Sequence, residues 1–218
     1  YGYQEEVPFR EDMVCNPQVP YAVAKYASEC VIEKLAKLNG MEYVIVVPHN
    51  VIGPRQNYTD PYRNVASIMI NRILQGKRPI IYGDGEQKRC FSFIGDVTYC
   101  IEKAILLDGL NGEVINIGPD EEYITVNELA KKISMLLGVE FNPIYIPSRP
   151  LEVAHANCSS DKARRLLGYK TSTSLEEGLR QMIEYIKKRG VSEFEYDNIC
   201  VEIKNDKTPT TWMTPQKY

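Results

Sequence analysis

The sequence has only two histidines, and its cysteines, Cys15, Cys30, Cys90, Cys100, Cys158 and Cys200, never fall at Cys-x-x-Cys spacing. Without clustered imidazole or thiolate donors a zinc site is not expected, no metal is assigned, and the thiols read as reduced and mostly buried. No run is long and apolar enough to span a bilayer, and the N-terminus has neither the charged region nor the hydrophobic core of a signal peptide. A cytoplasmic protein with no membrane partner is therefore expected. Charge is nearly balanced, with 26 Lys and Arg against 29 Asp and Glu, net -3, so there is no nucleic-acid footprint. Nowhere does a G-x-G-x-x-G or G-x-x-G-x-x-G loop follow a strand pattern, and the fingerprint that cradles a dinucleotide pyrophosphate is missing. Internal repeats, low-complexity tracts and flexible linkers are also lacking. The first residue is Tyr1 rather than methionine, inside a loop-like stretch, which is expected of a fragment or a processed chain.

What is present is a chain of 218 residues with ordinary globular composition, long enough to bury a sizeable core as one large domain or two small ones. Residues 1–20 hold three prolines and little apolar periodicity, so a surface loop is expected. Pro20 suits the first position of a helix running from about Tyr21 to Leu38. Ala24, Ala27, Val31, Leu35 and Leu38 form its apolar stripe, and Asn39-Gly40 closes it as a left-handed cap. The run Tyr43-Val44-Ile45-Val46-Val47 follows, and its unbroken apolar character predicts a strand covered on both faces, as in a parallel sheet flanked by helices.

Beyond an Asn/Gly/Pro-rich loop, a helix is predicted from about Tyr62 to Leu74 and a short strand over Pro79–Tyr82. Gly83-Asp84-Gly85 reads as a hairpin turn. A strand over Cys90–Ile94, a helix from Asp96 to about Leu107 and a strand over Glu113–Ile117 come next. Thr125-x-x-Glu128 and Ser174-x-x-Glu177 are capping boxes that open helices ending near Gly138 and Gly190, with another helix between Ser160 and Leu167. The tail, with Ile199, Val201 and Ile203 alternating, is expected to form an edge strand or hairpin. The fold class is thus α/β, part of a doubly wound sheet with a smaller mixed α/β region. Its expected divisions are residues 1–57, 58–190 and 191–218.

Within Asn16-Pro17-Gln18-Val19-Pro20-Tyr21-Ala22-Val23-Ala24-Lys25, Tyr21 and Lys25 lie four residues apart and share one face of the helix. An ammonium beside a phenol stabilises the phenolate, which suits a tyrosine for proton exchange near neutral pH. Taken alone, the same spacing also recurs on solvated helix faces. The flanks narrow the reading. NPQVPYAVAK, then a helix, a buried strand and HNVIGPRQ, resembles the extended short-chain dehydrogenase/reductase family, in its nucleotide-sugar epimerase and dehydratase branch.

The resemblance, which runs from Tyr1 to about Ile186, implies NAD as cofactor and a nucleotide sugar, most readily a UDP-sugar, as substrate. It implies that Tyr21 exchanges a proton with a sugar hydroxyl, that Lys25 holds the nicotinamide ribose, and that Pro48 lies beside the nicotinamide. It places Asn50 on the sugar-nucleotide phosphates; the alternative is a turn-closing asparagine. Asn64 and Val65 match the start of a phosphate-contacting helix. Ile80 and Tyr82 match the strand lining the base pocket, although core packing alone would also account for them. Arg89 and Arg149 match a pair of diphosphate-binding arginines, a role that planar guanidinium groups fill well. Glu152 corresponds to an acid near the nucleotide ribose. Ala156 stands beside the sugar C2 substituent, where a methyl group leaves room for an N-acetyl group. His49, beside a strand end, is read as a packing residue rather than a base.

Three functions stay open at this point: a nucleotide-sugar 4-epimerase, a dehydratase or decarboxylase on the same scaffold, and a truncated, non-catalytic sugar-nucleotide-binding piece. The residues that separate the first two, and the Ser or Thr partner of the tyrosine, precede Tyr1 in the family pattern. Weak or no NAD binding and no turnover are expected of these residues by themselves, and a homodimer is the expected assembly.

Overall fold

The computed structural model describes residues 1–62, 64–149, 153–194 and 205–213. In chain order its elements are α1 (Pro20–Asn39), β1 (Val44–Pro48), β2 (Val51–Ile52), α2 (Val65–Leu74), β3 (Ile80–Tyr82), β4 (Lys88–Arg89), β5 (Ser92–Phe93) and α3 (Ile94–Leu106). They continue with β6 (Glu113–Ile117), β7 (Ile124–Thr125), α4 (Val126–Leu137), β8 (Ile144–Ile146), β9 (His155–Ala156), α5 (Asp161–Leu167), α6 (Leu175–Arg189) and α7 (Thr210–Met213). Among the described residues no helix is long and apolar enough to cross a membrane. The chain groups into two compact units, each assembled from three segments: Tyr1–Val51, Arg89–Tyr123 and His155–Ser174 in one, Ile52–Lys88, Ile124–Ala154 and Leu175–Tyr218 in the other.

The first unit is built on a parallel pair, β1 with β6, in register from Val44 opposite Glu113 to Pro48 opposite Ile117. Parallel strands need a long crossover, which is why 64 residues separate these two partners in the chain. Ile115 and Ile117 point into a core with Val97, Cys100 and Ala104 of α3, Leu110, Ala163 and Leu167 of α5, and Tyr169; Val44 and Val46 pack against it. Asn116, between the two isoleucines, faces the other way and is also fully buried. Its Nδ2 donates to the Phe9 carbonyl at 3.1 Å, its Oδ1 accepts from the Tyr1 hydroxyl at 2.7 Å, and its backbone N–H donates to Glu11 Oε1 at 2.9 Å. The N-terminal loop is thus folded over the second face of β6. The two-sided coverage expected of the first strand is seen most fully here, since β1 is only half-buried at Val44–Val47.

Helix α1 starts on Pro20 and ends at Gly40 in the left-handed conformation, φ 61°, as its sequence predicts. Its predicted stripe is corrected by the structure. Ala24, Ala27, Val31, Leu35 and Leu38 are exposed, and the helix turns Ala22, Glu29, Cys30, Glu33 and the buried Ala36 inward. Periodicity identifies an apolar face but not the partner that covers it, and no described residue covers this one.

In the second unit β3 pairs in parallel with β8, from Ile80 opposite Ile144 to Tyr82 opposite Ile146. Helices α2, α4 and α6 pack against one another through buried Met69, Ile70, Leu129, Ile133, Leu179, Met182 and Ile186. The capping box of α4 forms as written in the sequence: Thr125 Oγ1 accepts from Glu128 N at 3.0 Å and Glu128 Oε2 from Thr125 N at 2.7 Å. Gly83-Asp84-Gly85 is a turn but not a hairpin, because β3 takes β8 as its partner while β4 belongs to a different sheet. Asn127 locks that turn by donating to the Asp84 carbonyl at 2.9 Å and to Glu86 Oε1 at 2.7 Å. A Cβ on Gly85, whose φ is 79°, would stand 2.3 Å from the Asn127 side-chain oxygen, so only glycine fits. Two further boundaries move. The strand predicted over Cys90–Ile94 splits into β4 and β5, and α3 already begins at Ile94. The tail residues Ile199, Val201 and Ile203 lie outside the described residues, while residues 210–213 form a helical turn rather than a strand.

Replacing Asn116 by Ala removes the acceptor of the Tyr1 hydroxyl and one of the two donors to the Phe9 carbonyl, which keeps the Ser159 N–H at 2.9 Å; a buried polar group left unsatisfied costs about 1–3 kcal/mol. Urea denaturation should show Asn116→Ala losing about 1–3 kcal/mol, and Tyr1→Phe losing less. Equal stability of Asn116→Ala and wild type would show that the loop is not held this way.

Candidate active site

The proposed proton-exchange pair lies on the exposed face of α1. Tyr21 is 70% exposed, and Lys25 Nζ stands 5.8 Å from the centroid of its ring. The i, i+4 geometry of the helix alone produces this placement. Tyr1, the first residue, is a poor proton carrier, because burial pushes its phenol well above the ordinary value. Pro48 ends β1 and is exposed. After it, His49 N donates to the Ile117 carbonyl at 2.9 Å, which carries the parallel ladder one residue past the strand.

His49 packs against Phe9, ring centroids 6.4 Å apart, and burial lowers its imidazole from 6.5 to about 4. It is neutral at pH 7 and fills the packing role read from its position. The three buried cysteines of this unit are equally unsuited to nucleophilic chemistry. Burial raises the Cys90 thiol to about 12, Cys100 to about 11, and Cys158 higher still, and a thiolate is the reactive form. Among the described residues no group of His, Cys, Asp and Glu could hold a metal ion.

Asn50 sits in the left-handed region, φ 35°, a conformation asparagine tolerates better than most residues. Its Nδ2 donates to the Cys90 carbonyl at 2.8 Å, forty residues away. It therefore ties the loop after β1 to the segment after Arg89 instead of closing a local turn. Arg89 is half-buried on β4, and Ala156 is half-buried on β9. The neighbouring loop and α5 are fastened by Arg164, whose guanidinium donates to Asp120 and Asp161 at 3.0 Å and to Glu121 at 3.0 Å. With three carboxylates around it, Arg164 is a structural arginine.

In the second unit Asn64 caps α2. Its Oδ1 accepts from Ala66 N at 2.9 Å and its own N–H donates to the Ser67 hydroxyl at 3.1 Å, with Val65 as the first helical residue. Ile80 and Tyr82 are half-buried on β3. The Arg149 guanidinium carbon stands over the Tyr82 ring, 4.1 Å from its centroid, and its Nε is buried with no acceptor among the described residues. Glu152 lies outside the described residues.

This arrangement includes residues that sequence reasoning passed over. The Tyr82 hydroxyl is hydrogen-bonded to the Thr211 hydroxyl, and Tyr62 meets Trp212 edge-on with ring centroids 4.8 Å apart. The signal available was the single tryptophan of the sequence, placed in a Thr- and Pro-rich tail. Of the candidate residues, Tyr21, Lys25, Pro48, Asn50, Arg89 and Ala156 belong to the first unit, and Asn64, Val65, Ile80, Tyr82 and Arg149 to the second.

Parallel strands with flanking helices make this an α/β fold of the Rossmann type, shared with solved epimerase structures over part of their length. A family model described as GDP-mannose 4,6 dehydratase matches residues 1–182. The chain belongs to the NAD-dependent sugar epimerase/dehydratase family. It is 37% identical over 191 residues to a putative UDP-glucose 4-epimerase of Methanocaldococcus jannaschii, covering 86% of this chain and 59% of that protein. Among solved structures it resembles the UDP-glucose 4-epimerase of Thermotoga maritima with UDP-glucose, with a TM-score of 0.77 and 34% identity over 86% of this chain and 59% of that one. It likewise resembles the UDP-glucuronic acid 4-epimerase of Bacillus cereus in complex with UDP-glucuronic acid and NAD, with a TM-score of 0.80 and 28% identity over 86% and 59%. The chain thus spans 59% of the length of these relatives.

The lowered His49 value has a consequence for stability. The folded chain keeps the imidazole neutral down to about pH 4, whereas the unfolded chain protonates it near 6.5. Its contribution is therefore fully present above pH 6.5 and is lost as pH falls from there toward 4. Unfolding free energies measured by urea across this window should fall by on the order of 2 kcal/mol more in wild type than in His49→Gln. Parallel curves would show that the imidazole is solvated.

Proposed function

We propose that the protein carrying this chain is an NAD-dependent nucleotide-sugar 4-epimerase acting on a UDP-hexose or UDP-N-acetylhexosamine through a transient 4-keto sugar. The observation that carries the reading is the Tyr21–Lys25 pair, held by helix geometry on the open face of α1. The Tyr21 phenolic oxygen takes the proton of the sugar C4 hydroxyl and later returns it. The Lys25 ammonium donates to the nicotinamide ribose. Bound NAD supplies the hydride acceptor and donor. The residues present fit the nicotinamide-ribose end of that cofactor, through Tyr21, Lys25 and Pro48. They do not fit its adenosine diphosphate end, since no glycine-rich loop follows a strand.

On the substrate side Asn50, Asn64, Val65, Ile80, Tyr82, Arg89, Arg149 and Glu152 are proposed to bind the nucleotide diphosphate, and Ala156 to face the sugar C2 substituent. The contact of Arg149 with Tyr82 supports this reading, because it holds against the strand tyrosine a guanidinium whose fork of donors matches phosphate oxygens. Likeness to proteins named as epimerases favours epimerisation. A 4,6-dehydratase or decarboxylase is the second reading, supported by the description of the family model itself. A homodimer is proposed as the assembly, supported by the exposed apolar side chains of α1, Val31, Leu35 and Leu38 among them.

In the protein carrying this chain, Tyr21→Phe should lower kcat about a hundredfold or more, as loss of a general acid/base does, while UDP-sugar affinity stays near wild type. Turnover within a few-fold of wild type would sink the assignment of Tyr21. The C2 pocket is tested separately by assaying UDP-N-acetylglucosamine against UDP-glucose. Wild type should accept the N-acetylated sugar, and Ala156→Tyr should lose it selectively; turnover of UDP-glucose alone by wild type would remove the role given to Ala156.

A further inference from the structure

Five side chains of the second unit, Tyr62, Tyr82, Arg149, Thr211 and Trp212, make one connected cluster. Arg149 covers one face of Tyr82 at 4.1 Å, the Tyr82 hydroxyl binds the Thr211 hydroxyl, and the neighbouring Trp212 ring stands edge-on to Tyr62 at 4.8 Å. Two N–H donors in this cluster are shielded from water and have no acceptor among the described residues, Arg149 Nε and Trp212 Nε1. Buried donors are nearly always paired, so two orphans in one cluster are places where a ligand can bring the acceptors.

Of their two surroundings, one is cationic and planar and the other aromatic. A guanidinium is itself a planar fork of donors suited to phosphate oxygens, and this one is seated 4.1 Å from the Tyr82 ring centroid. An indole N–H among aromatic rings suits a flat heterocycle bearing carbonyl oxygens, which can stack and accept at once. A nucleoside diphosphate with a pyrimidine base carries both kinds of acceptor on one molecule. A free anion would leave the aromatic surface and the indole donor unused.

We propose that the segment 205–213 forms part of the nucleotide subsite, with Trp212 contacting the pyrimidine base and Arg149 the diphosphate of a nucleoside diphosphate. The proposal rests on the nucleotide-sugar reading above, and it assigns a role to residues beyond the stretch 1–182 matched by the family model. Thr211, bonded to Tyr82, positions the segment on the strand tyrosine.

Trp212 is the only tryptophan in the sequence, so its fluorescence reports on this cluster alone. The 218-residue chain is titrated with UDP, with uridine and with inorganic pyrophosphate, each followed by calorimetry and by tryptophan emission. UDP should change the emission saturably with the same Kd that calorimetry gives, and uridine should change it more weakly. Pyrophosphate should bind without changing it. Trp212→Phe should weaken UDP binding about tenfold, a size expected of a lost base–aromatic contact, and leave pyrophosphate binding unaltered. Thr211→Val, which keeps the fluorophore and cuts only the bond to Tyr82, should also weaken UDP and serves if Trp212→Phe does not fold. UDP binding with silent emission and unchanged affinity in the variants would overturn the proposal while leaving the nucleotide reading standing. Tighter UDP binding by either variant would also overturn it, because the segment would then block the subsite. Absence of UDP binding to the wild-type chain would remove the nucleotide reading and this inference together.

Discussion

The first unit depends on one buried amide. Strand β6 carries three consecutive buried residues, Ile115, Asn116 and Ile117, and a strand can bury neighbours only if both of its faces are covered. The isoleucines achieve this through apolar packing on α3 and α5. Asn116 achieves it through three hydrogen bonds that fold residues 1–11 across the opposite face. Phe9 then extends the arrangement, exchanging backbone bonds with Asn157 and Ser159 at 2.7 and 2.9 Å. An apolar residue at position 116 would leave the Tyr1 hydroxyl without its acceptor and the Phe9 carbonyl with the Ser159 N–H as its remaining donor, and a loop of acids and prolines offers little apolar surface to replace the lost bonds.

That packing sorts the reactive groups of the unit. Groups drawn inside are silenced: His49 is held neutral, and Cys90, Cys100 and Cys158 are held as thiols, in every case chiefly by burial. Groups left outside keep their freedom to meet a ligand, Tyr21 and Lys25 on α1 foremost. The second unit sorts its cations in another way. Arg78 is spent on the Asn142 and Pro143 carbonyls at 2.9 and 2.7 Å, whereas Arg149 is laid against Tyr82 with one donor unused.

Much of this was legible in the sequence where a local rule governs. Pro20 and Gly40 bracket α1 because a fixed φ and a left-handed φ suit those two positions. The Thr125–Glu128 capping box states its own hydrogen bonds, and the parallel strand β1 is marked by the apolar run Val44-Ile45-Val46-Val47. The Tyr21-to-Lys25 distance follows from 3.6 residues per turn. Reading failed where pairing is chosen by distant residues. Gly83-Asp84-Gly85 resembles a hairpin turn locally, yet β3 selects β8, more than sixty residues on. The apolar stripe of α1 was read correctly as apolar and wrongly as core, since periodicity carries no information about the partner.

By itself, then, the sequence determined the helices with their caps, the α/β class and the tyrosine–lysine pair, all of which depend on torsional preferences and spacings within a few residues. Only the tertiary structure decided that Asn50 reaches Cys90, that Asn116 anchors the N-terminal loop, and that Arg149 shares a cluster with Trp212 from the tail. Those contacts join residues tens of positions apart, and close packing of the intervening chain is what brings them within bonding distance.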